Sequence, residues 1–243
     1  LVHDGIFCKG GAERVLLNMH NAFPEAPIYT SIFDKKKSYP EFKDCDIRTS
    51  WIQSIIKTEK SYKNTFMIFG VLAMQSHDFS KYDVVLCSTT HSGKYIKVNK
   101  NTLVINYCYT PFRLAWNPNS YELYSKSIGI KRYILKKIIN HLRKIDYKYA
   151  QNANMYISMT PETVKRIKDN YNIKNDIKII NPSINIDEYY TSENIGDYYL
   201  VVSRLEKYKN VKLAIKAFNI LNKPLIIVGS GMQEKKLKKI ANN

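Results

Sequence analysis

The sequence predicts an α/β fold with parallel sheets, arranged as two domains. Apolar runs of strand length alternate with amphipathic, helix-length stretches along the whole chain, and this order is typical of parallel sheets. The segment from Asn181 to Asp197 is mostly polar and contains Pro182, which indicates a linker. We therefore expect a first domain over residues 1–182 and a second over residues 198–243.

Composition narrows the class of protein and the class of partner. Of the 243 residues, 44% are hydrophobic, which predicts a packed core, and no apolar run is long enough to span a bilayer. The formal charge of +17 favours an anionic partner: nucleic acid, an anionic membrane face or a phosphorylated substrate. The four cysteines are scattered without metal-ligand spacing, so we expect reduced thiols in the cytoplasm and no metal site.

The amino-terminal stretch predicts a strand, a glycine turn and a helix. Gly10 and Gly11 lack a Cβ, so their backbone amides can approach a ligand closely at the start of the helix. Free N–H groups at a helix N-terminus suit a diphosphate. The alternative is a turn used only for packing, and the pair lacks the spacing of a dinucleotide fingerprint or a P-loop.

Further apolar runs predict the remaining elements of the first domain. The segment from Ser50 to Met74 reads as partly helical, and polar residues after Cys108 mark a candidate site. His91, in the loop after the strand that ends at Ser88, is either a ligand or an acid, or a hydrogen-bonded loop residue. The predicted strands are Ile28 to Ile32, Asp83 to Ser88, Thr102 to Cys108, Met155 to Ser158 and Ile177 to Ile180.

A long basic helix is predicted from Ile130 to Ala150. Its apolar positions fall on one face and predict packing on the first domain, whereas lysines and arginines fill much of the remainder. The cations predict contact with an anionic membrane surface, or simply a solvated face. The apolar positions are Ile134, Ile138, Leu142 and Ile145.

The second domain begins with a strand, a cationic turn and a helix. Leu200 to Val202 is wholly apolar, which predicts a strand covered on both faces. Arg204 and Lys209 follow at its carboxyl end, where open α/β sheets bind ligands, and Arg204 offers a planar fork for phosphate. We expect Lys207 to be a solvated turn residue; the alternative is that the whole turn is solvated and binds nothing.

Several strings together resemble the family 4 retaining glycosyltransferases of the GT-B fold, especially the bacterial O-antigen and lipopolysaccharide mannosyltransferase-like branch. The resemblance follows the family's order and spacing along nearly the whole chain. The strings are His3-Asp4 with Gly10-Gly11-Ala12-Glu13-Arg14-Val15; Asn106-Tyr107-Cys108-Tyr109-Thr110-Pro111-Phe112-Arg113; Val201-Val202-Ser203-Arg204-Leu205 with Tyr208-Lys209; Ala214-Ile215-Lys216-Ala217-Phe218-Asn219; and Ile227-Val228-Gly229-Ser230-Gly231.

The resemblance implies transfer of a sugar, mannose among the candidates, from a nucleotide-diphosphate donor to a glycan or lipid-linked acceptor in cell-surface polysaccharide synthesis. It implies two facing Rossmann-like domains of parallel sheet, with no cofactor beyond the donor, no metal and no nucleic-acid partner. The site would lie at the cytoplasmic side, peripherally at the inner membrane face. Implied donor-diphosphate residues are Gly10, Gly11, Arg204 and Lys209; catalytic residues are Arg204, Lys209 and Tyr109; acceptor-side residues are Thr110 and Arg113; the nucleotide-side loop has Gly229 and Gly231.

Two departures from the family pattern bear on activity. Tyr109 stands where the family usually has histidine, and a phenol with a reference pKa near 10 is a poor base at neutral pH. The family's Glu-x7-Glu motif would lie beyond Asn243, so we expect a truncated second domain and an inactive fragment. The alternative function is a non-catalytic module that binds a polyanion or sugar nucleotide, or a partner subunit. A GT-B epimerase is disfavoured by the string from Tyr107 to Arg113.

Overall fold

The computed structural model describes residues 1–56 and 69–242, and within them the chain forms two compact units. The units are Leu1–Ile184 and Asn185–Asn243, and each is built on its own parallel sheet. The dividing point lies within the polar segment from Asn181 to Asp197. The α/β class expected from the alternation of strands and helices is confirmed.

The first unit contains a seven-stranded sheet in the order β3-β2-β1-β4-β5-β6-β7, with every described pair parallel. Part of the predicted helical segment from Ser50 to Met74, residues 57–68, lies outside the described residues. The strands are β1 Val2–His3, β2 Ile28–Thr30, β3 Ile47–Thr49, β4 Val84–Thr89, β5 Leu103–Cys108, β6 Met155–Ser158 and β7 Lys178–Ile179. The helices are α1 Gly11–Ala22, α2 Ile52–Ile55, α3 at residues 69–75, α4 Arg113–Trp116, α5 Glu122–Ser125, α6 Gly129–Ala150 and α7 Pro161–Tyr171, with 3-10 turns at Pro40–Asp44, Ser92–Lys94 and Pro118–Ser120.

Helices cover both faces of this sheet. Val85 and Cys87 of β4 face a core that α3 and α6 complete. Successive side chains of a strand point to opposite faces of the sheet. On the opposite face, Tyr107 of β5 packs against Val15 of α1. The strand order reverses between β1 and β4, where His3 lies beside Ser88. In open sheets this reversal opens a crevice at the carboxyl ends of the strands, which is a common place for ligands.

The predicted packing of the basic helix is wrong over its amino-terminal half. Ile134 is 52% exposed and Ile138 is 38% exposed, although both were expected on the inward face. The buried positions are Ile139, Leu142, Asp146 and Ala150. Only the carboxyl-terminal half of α6 therefore lies against the sheet and its neighbouring helices. A periodic apolar pattern shows which side of a helix can be buried, but not how much of its length has a surface to pack on.

The second unit pairs β8, Tyr199–Val202, with β9, Leu225–Val228. Helices α8, Val211–Leu221, and α9, Glu234–Lys238, follow the two strands, and 3-10 turns lie at Ile186–Glu188 and Lys207–Lys209. The predicted burial of β8 on both faces is wrong, since Leu200 is 54% exposed and Val202 is 71% exposed. The reason is that the described helices cover one face only, where Val201 meets the core built on Ile215.

Candidate functional site

The two cations predicted to bind a diphosphate meet at one aromatic ring in the second unit. The Nη2 atom of Arg204 donates a hydrogen bond of 2.8 Å to the hydroxyl of Tyr208. The Nζ atom of Lys209 lies 5.5 Å from the centre of the same ring. Both cations are exposed and follow the carboxyl end of β8. This arrangement presents a planar guanidinium and a compact ammonium together to solvent, which suits the oxygens of a polyphosphate.

Lys207 belongs to a different part of this unit. Together with Lys212 and Lys236 it lines a cavity of about 570 Å³ that neither Arg204 nor Lys209 lines. Lys207 is exposed, in keeping with a solvated turn residue. The cavity nevertheless offers a second concentration of positive charge, so the diphosphate assignment needs an experimental comparison between the two places.

Gly229 and Gly231 shape the loop beside Arg204. Their φ angles are +149° and +156°, which L side chains rarely adopt. A Cβ at Gly231 would lie 2.6 Å from the carbonyl oxygen of Leu205, and one at Gly229 would collide with the carbonyl of Ser203. The carbonyl of Ser230, in the same loop, accepts a hydrogen bond of 2.8 Å from the amide of Leu205. The two glycines therefore let this loop lie directly against the segment that carries Arg204.

In the first unit, Asp4 occupies the crevice between β1 and β4. Its carboxylate accepts hydrogen bonds from Thr89 Oγ1 at 2.6 Å and from the amides of Thr90 and Gly93, both at 2.7 Å. Burial by itself raises the pKa of Asp4. The opposing effects are the charge and hydrogen bond of His91, the charge of His3 and the hydrogen bond from Thr89. Together they hold the pKa of Asp4 well below its usual value. Asp4 thereby fixes the loop that follows β4.

His91 is the histidine of that loop, and its ring is held in place. Its Nδ1 atom lies 3.0 Å from Asp4 Oδ2 and 3.1 Å from Thr90 Oγ1. The ring also packs against Phe112, with centroids 5.4 Å apart. His91 thus has the hydrogen bonds that the second sequence-based interpretation expects, and its role as a ligand or an acid stays a prediction.

Tyr109 is buried, and its hydroxyl is engaged with two partners. It lies 2.8 Å from Ser88 Oγ and donates to the carbonyl oxygen of Ala12 at 3.2 Å. Burial raises the pKa of Tyr109 above its ordinary value, so the phenol stays neutral near pH 7. This geometry suits a side chain that ties the end of β5 to the first turn of α1, rather than one that accepts a proton.

The glycine turn before α1 is open at one residue and occupied at the other. Nothing lies within 4 Å of the position that a Cβ of Gly11 would take, whereas a Cβ at Gly10 would meet the carboxylate of Glu13. The thiol of Cys8 donates to Glu13 Oε1 at 3.3 Å. An anionic ligand at this helix N-terminus would therefore have space beside Gly11 but would meet the negative charge of Glu13.

The predicted acceptor-side residues lie on the segment that follows β5. Thr110 is half-buried directly after Tyr109, and Arg113 is the first residue of α4 with an exposed side chain. Both therefore lie near the carboxyl edge of the first sheet, where the resemblance places the acceptor.

Sequence reasoning missed a buried ion pair beneath the loop of His91. Lys94 Nζ lies 2.6 Å from Asp146 Oδ1, with both side chains almost fully buried, and Lys94 also donates to the carbonyl of His91 at 2.8 Å. A signal was present, because Asp146 is the only acidic residue of α6 and lies four positions after the buried Leu142. The other donors to Asp146 are Tyr95 at 2.8 Å, Trp116 at 2.7 Å and Tyr171 at 2.7 Å.

Three further observations concern the cavities, metal-ligating groups and helices of the described residues. An apolar cavity of about 480 Å³ opens at the amino ends of the strands, beside Val84 and Pro27, away from the polar carboxyl edge. Over residues 1–56 and 69–242, no group of three or more His, Cys, Asp or Glu side chains is placed to hold a metal ion. Within the same ranges, every helix is too short or too polar to cross a bilayer.

Part or most of this chain is similar to known glycosyltransferases. Residues 192–243 match the family model described as Glycosyl transferases group 1. The chain is 25% identical to the alpha-1,3/1,6-mannosyltransferase ALG2 of Candida glabrata in an alignment 259 positions long, which covers 90% of this chain and 51% of that protein. It is 21% identical to the alpha-1,3/1,6-mannosyltransferase alg2 of Schizosaccharomyces pombe, covering 87% of this chain and 43% of that protein.

The chain thus spans about half the length of the curated relatives it matches. These similarities support a GT-B glycosyltransferase. Both relatives come from yeasts, so they give no support to the expected bacterial O-antigen and lipopolysaccharide branch, which stays a prediction.

Proposed function

We propose that this chain is part of a retaining glycosyltransferase that moves a sugar, with mannose the first candidate, from a nucleotide-diphosphate donor to a glycan or lipid-linked acceptor. We further propose that the reaction takes place at the cytoplasmic face of a membrane and serves polysaccharide or lipid-linked glycan synthesis. The mannosyltransferase names of both yeast relatives support the choice of sugar.

The observation that carries the proposal is the meeting of Arg204 and Lys209 at Tyr208. All three residues lie within the segment that matches the glycosyltransferase family model. When the bond between the anomeric carbon and the donor breaks, negative charge accumulates on the departing diphosphate. Fixed cations that already face this position stabilise that charge without reorganisation at the moment of reaction.

The first unit contributes separately in this proposal. The open space beside Gly11 admits an anionic group of a substrate to the amides of α1, while Thr110 and Arg113 contact the acceptor. Tyr109 acts as a positioning residue, because its hydroxyl holds the carbonyl of Ala12 in the same first turn. Tyr109→Phe should accordingly affect substrate affinity more than the pH profile of transfer.

A transfer assay at the protein's full native length tests the proposal. The protein is incubated with a panel of nucleotide sugars that includes GDP-mannose, and with lipid-linked and soluble glycan acceptors, and the product is analysed for the anomeric configuration of the new bond. Retention of configuration and a preference for one donor are the expected results. If no nucleotide sugar binds or reacts, the proposal is wrong.

A non-catalytic binding module is the second candidate, and the engaged hydroxyl of Tyr109 favours it, since the family's histidine is absent at this place. Calorimetry and the transfer assay together distinguish the two functions. Saturable binding of a nucleotide sugar without transfer to any acceptor indicates the binding module, whereas binding with transfer indicates the enzyme.

A further inference from the structure

The amino-terminal half of α6 and the segment before it form an exposed apolar surface. Ile128 is 82% exposed, Ile130 79%, Tyr133 60% and Ile134 52%. On a helix, residues three and four positions apart are neighbours, so Ile130, Tyr133 and Ile134 make one continuous stripe. We call Ile128, Ile130, Tyr133 and Ile134 the α6 stripe.

The stripe points away from the first unit. Ile130 and the buried Ile139 are nine residues apart, which is two and a half turns at about 3.6 residues per turn, so their side chains lie on opposite sides of the helix. Large apolar side chains that a helix exposes to water carry a free-energy cost, and clusters of them typically mark interaction sites.

Positive charge surrounds the stripe. From Leu123 to Ile145 the sequence contains seven lysines and arginines and no acidic residue. One of them, Arg143, is turned inward and donates to the carbonyl of Ala115 at 2.9 Å. The other six are exposed, and they are Lys126, Lys131, Arg132, Lys136, Lys137 and Lys144.

This combination decides between occupants. A second copy of the chain would bring six cations against six cations, which opposes association. An anionic lipid surface instead offers phosphates to the lysines and arginines, and an acyl boundary to the isoleucines, while a tyrosine ring is well suited to the headgroup level.

We propose that the α6 stripe inserts into the interface of a membrane that contains anionic lipid, with the six exposed cations at the headgroups. The inference deepens the proposed function, because it names the surface that brings the protein to a lipid-linked acceptor, and it rests on that function only for the purpose of the contact. Insertion of apolar side chains distinguishes it from simple electrostatic adsorption through a basic face.

Vesicle flotation of the protein at its full native length tests the inference. The vesicles are made of phosphatidylcholine alone or of phosphatidylcholine with phosphatidylglycerol. We expect binding to the anionic vesicles only. The double variant Ile130→Ser with Ile134→Ser should bind about tenfold or more weakly, because two isoleucines lose their transfer into lipid.

A matched control removes the same side chains elsewhere. Ile195 and Ile220 are 96% and 85% exposed in the second unit, so the double variant Ile195→Ser with Ile220→Ser should float like the wild type. Loss of a single stripe-side cation, as in Lys131→Gln, should weaken binding about fivefold. A tryptophan placed by Tyr133→Trp should shift its emission to the blue on anionic vesicles if the ring enters the interface.

Several outcomes would overturn the inference. Equal flotation of the Ile130/Ile134 variant and its control would show that the stripe does not enter lipid. The same conclusion would follow if the tryptophan emission of the Tyr133→Trp variant did not shift when the protein binds vesicles. No binding, or equal binding to both lipid compositions, would also refute it. A dimer that becomes monomeric in the stripe variant, without vesicle binding, would assign the surface to a second copy. Because flotation needs no donor, vesicle binding without sugar transfer leaves this inference standing and refutes only the proposed enzyme.

Discussion

Arg204→Ala should weaken binding of the sugar nucleotide and slow transfer far more than it lowers the free energy of unfolding. The guanidinium is exposed, and it donates a hydrogen bond of 2.8 Å to the neutral hydroxyl of Tyr208. Because both partners are exposed, water can replace this bond when it is lost, and the fold should tolerate the change. We expect Lys209→Ala to behave in the same way.

The expected size of the effect follows from the kind of bond that is lost. A hydrogen bond to an ionised group contributes about 1.5–3 kcal/mol, which corresponds to about a 10- to 150-fold loss of affinity or rate. Tyr208→Phe removes only the neutral partner that orients Arg204, so its effect should be about two- to tenfold. The predicted order of damage is therefore Arg204→Ala and Lys209→Ala first, and Tyr208→Phe second.

The assay is donor affinity by calorimetry and transfer rate under single-turnover conditions, with urea unfolding as the check on the fold. Lys216→Ala is the matched control, because it removes one exposed positive charge from α8 in the same unit and should change neither quantity. Lys207→Ala should also do little. If Lys207→Ala is damaging while Arg204→Ala and Lys209→Ala are silent, the diphosphate lies at the cavity that Lys207 lines, and the reasoning above is wrong.

Three further predictions concern the first unit. Asp146→Ala should lower the free energy of unfolding by about 3–5 kcal/mol because it leaves the buried charge of Lys94 without its partner, and tryptophan fluorescence in urea measures this. Asp4→Asn should lower the free energy of unfolding of this unit near neutral pH. The difference from wild type should shrink as the pH falls below about 4, because the depressed pKa of Asp4 contributes stability only where the unfolded carboxyl is ionised. A difference in free energy that is constant down to pH 2 would contradict this. Burial raises the pKa values of Cys87 and Cys108 to about 12. Native protein should therefore keep these two thiols unreactive toward a thiol reagent, whereas all thiols of the denatured protein should react. Mass spectrometry of the modified peptides identifies the thiols that reacted.

Local patterns predicted the elements that a single stretch of sequence specifies. The strand Met155–Ser158 was predicted with its observed bounds. Thr160 caps α7 and accepts a hydrogen bond from the Thr163 amide at 3.2 Å, a contact that this threonine and the proline after it specify locally. Other strand ends shifted by a residue or two, because the neighbouring strand decides where pairing stops.

Predictions failed where burial depends on a distant part of the chain. The pattern of α6 indicated one apolar face, but only residues near Leu142 have a surface to pack on, and the isoleucines before them stay exposed. In the same way, the apolar run of β8 indicated two covered faces, while the described helices cover one. Periodicity reports which side chains can be buried, whereas burial itself requires a partner that the local sequence does not contain.

The sequence by itself determined the class of fold and the positions of Arg204 and Lys209 at the end of a strand, since strand alternation and motif spacing are written in neighbouring residues. Only the tertiary structure decided that these two cations meet at Tyr208, that Tyr109 bonds to Ala12 rather than facing solvent, and that Asp4 holds a loop 85 residues away. Each of these contacts joins groups whose distance is set by the packing of whole helices and strands, and a one-dimensional pattern carries no measure of that distance.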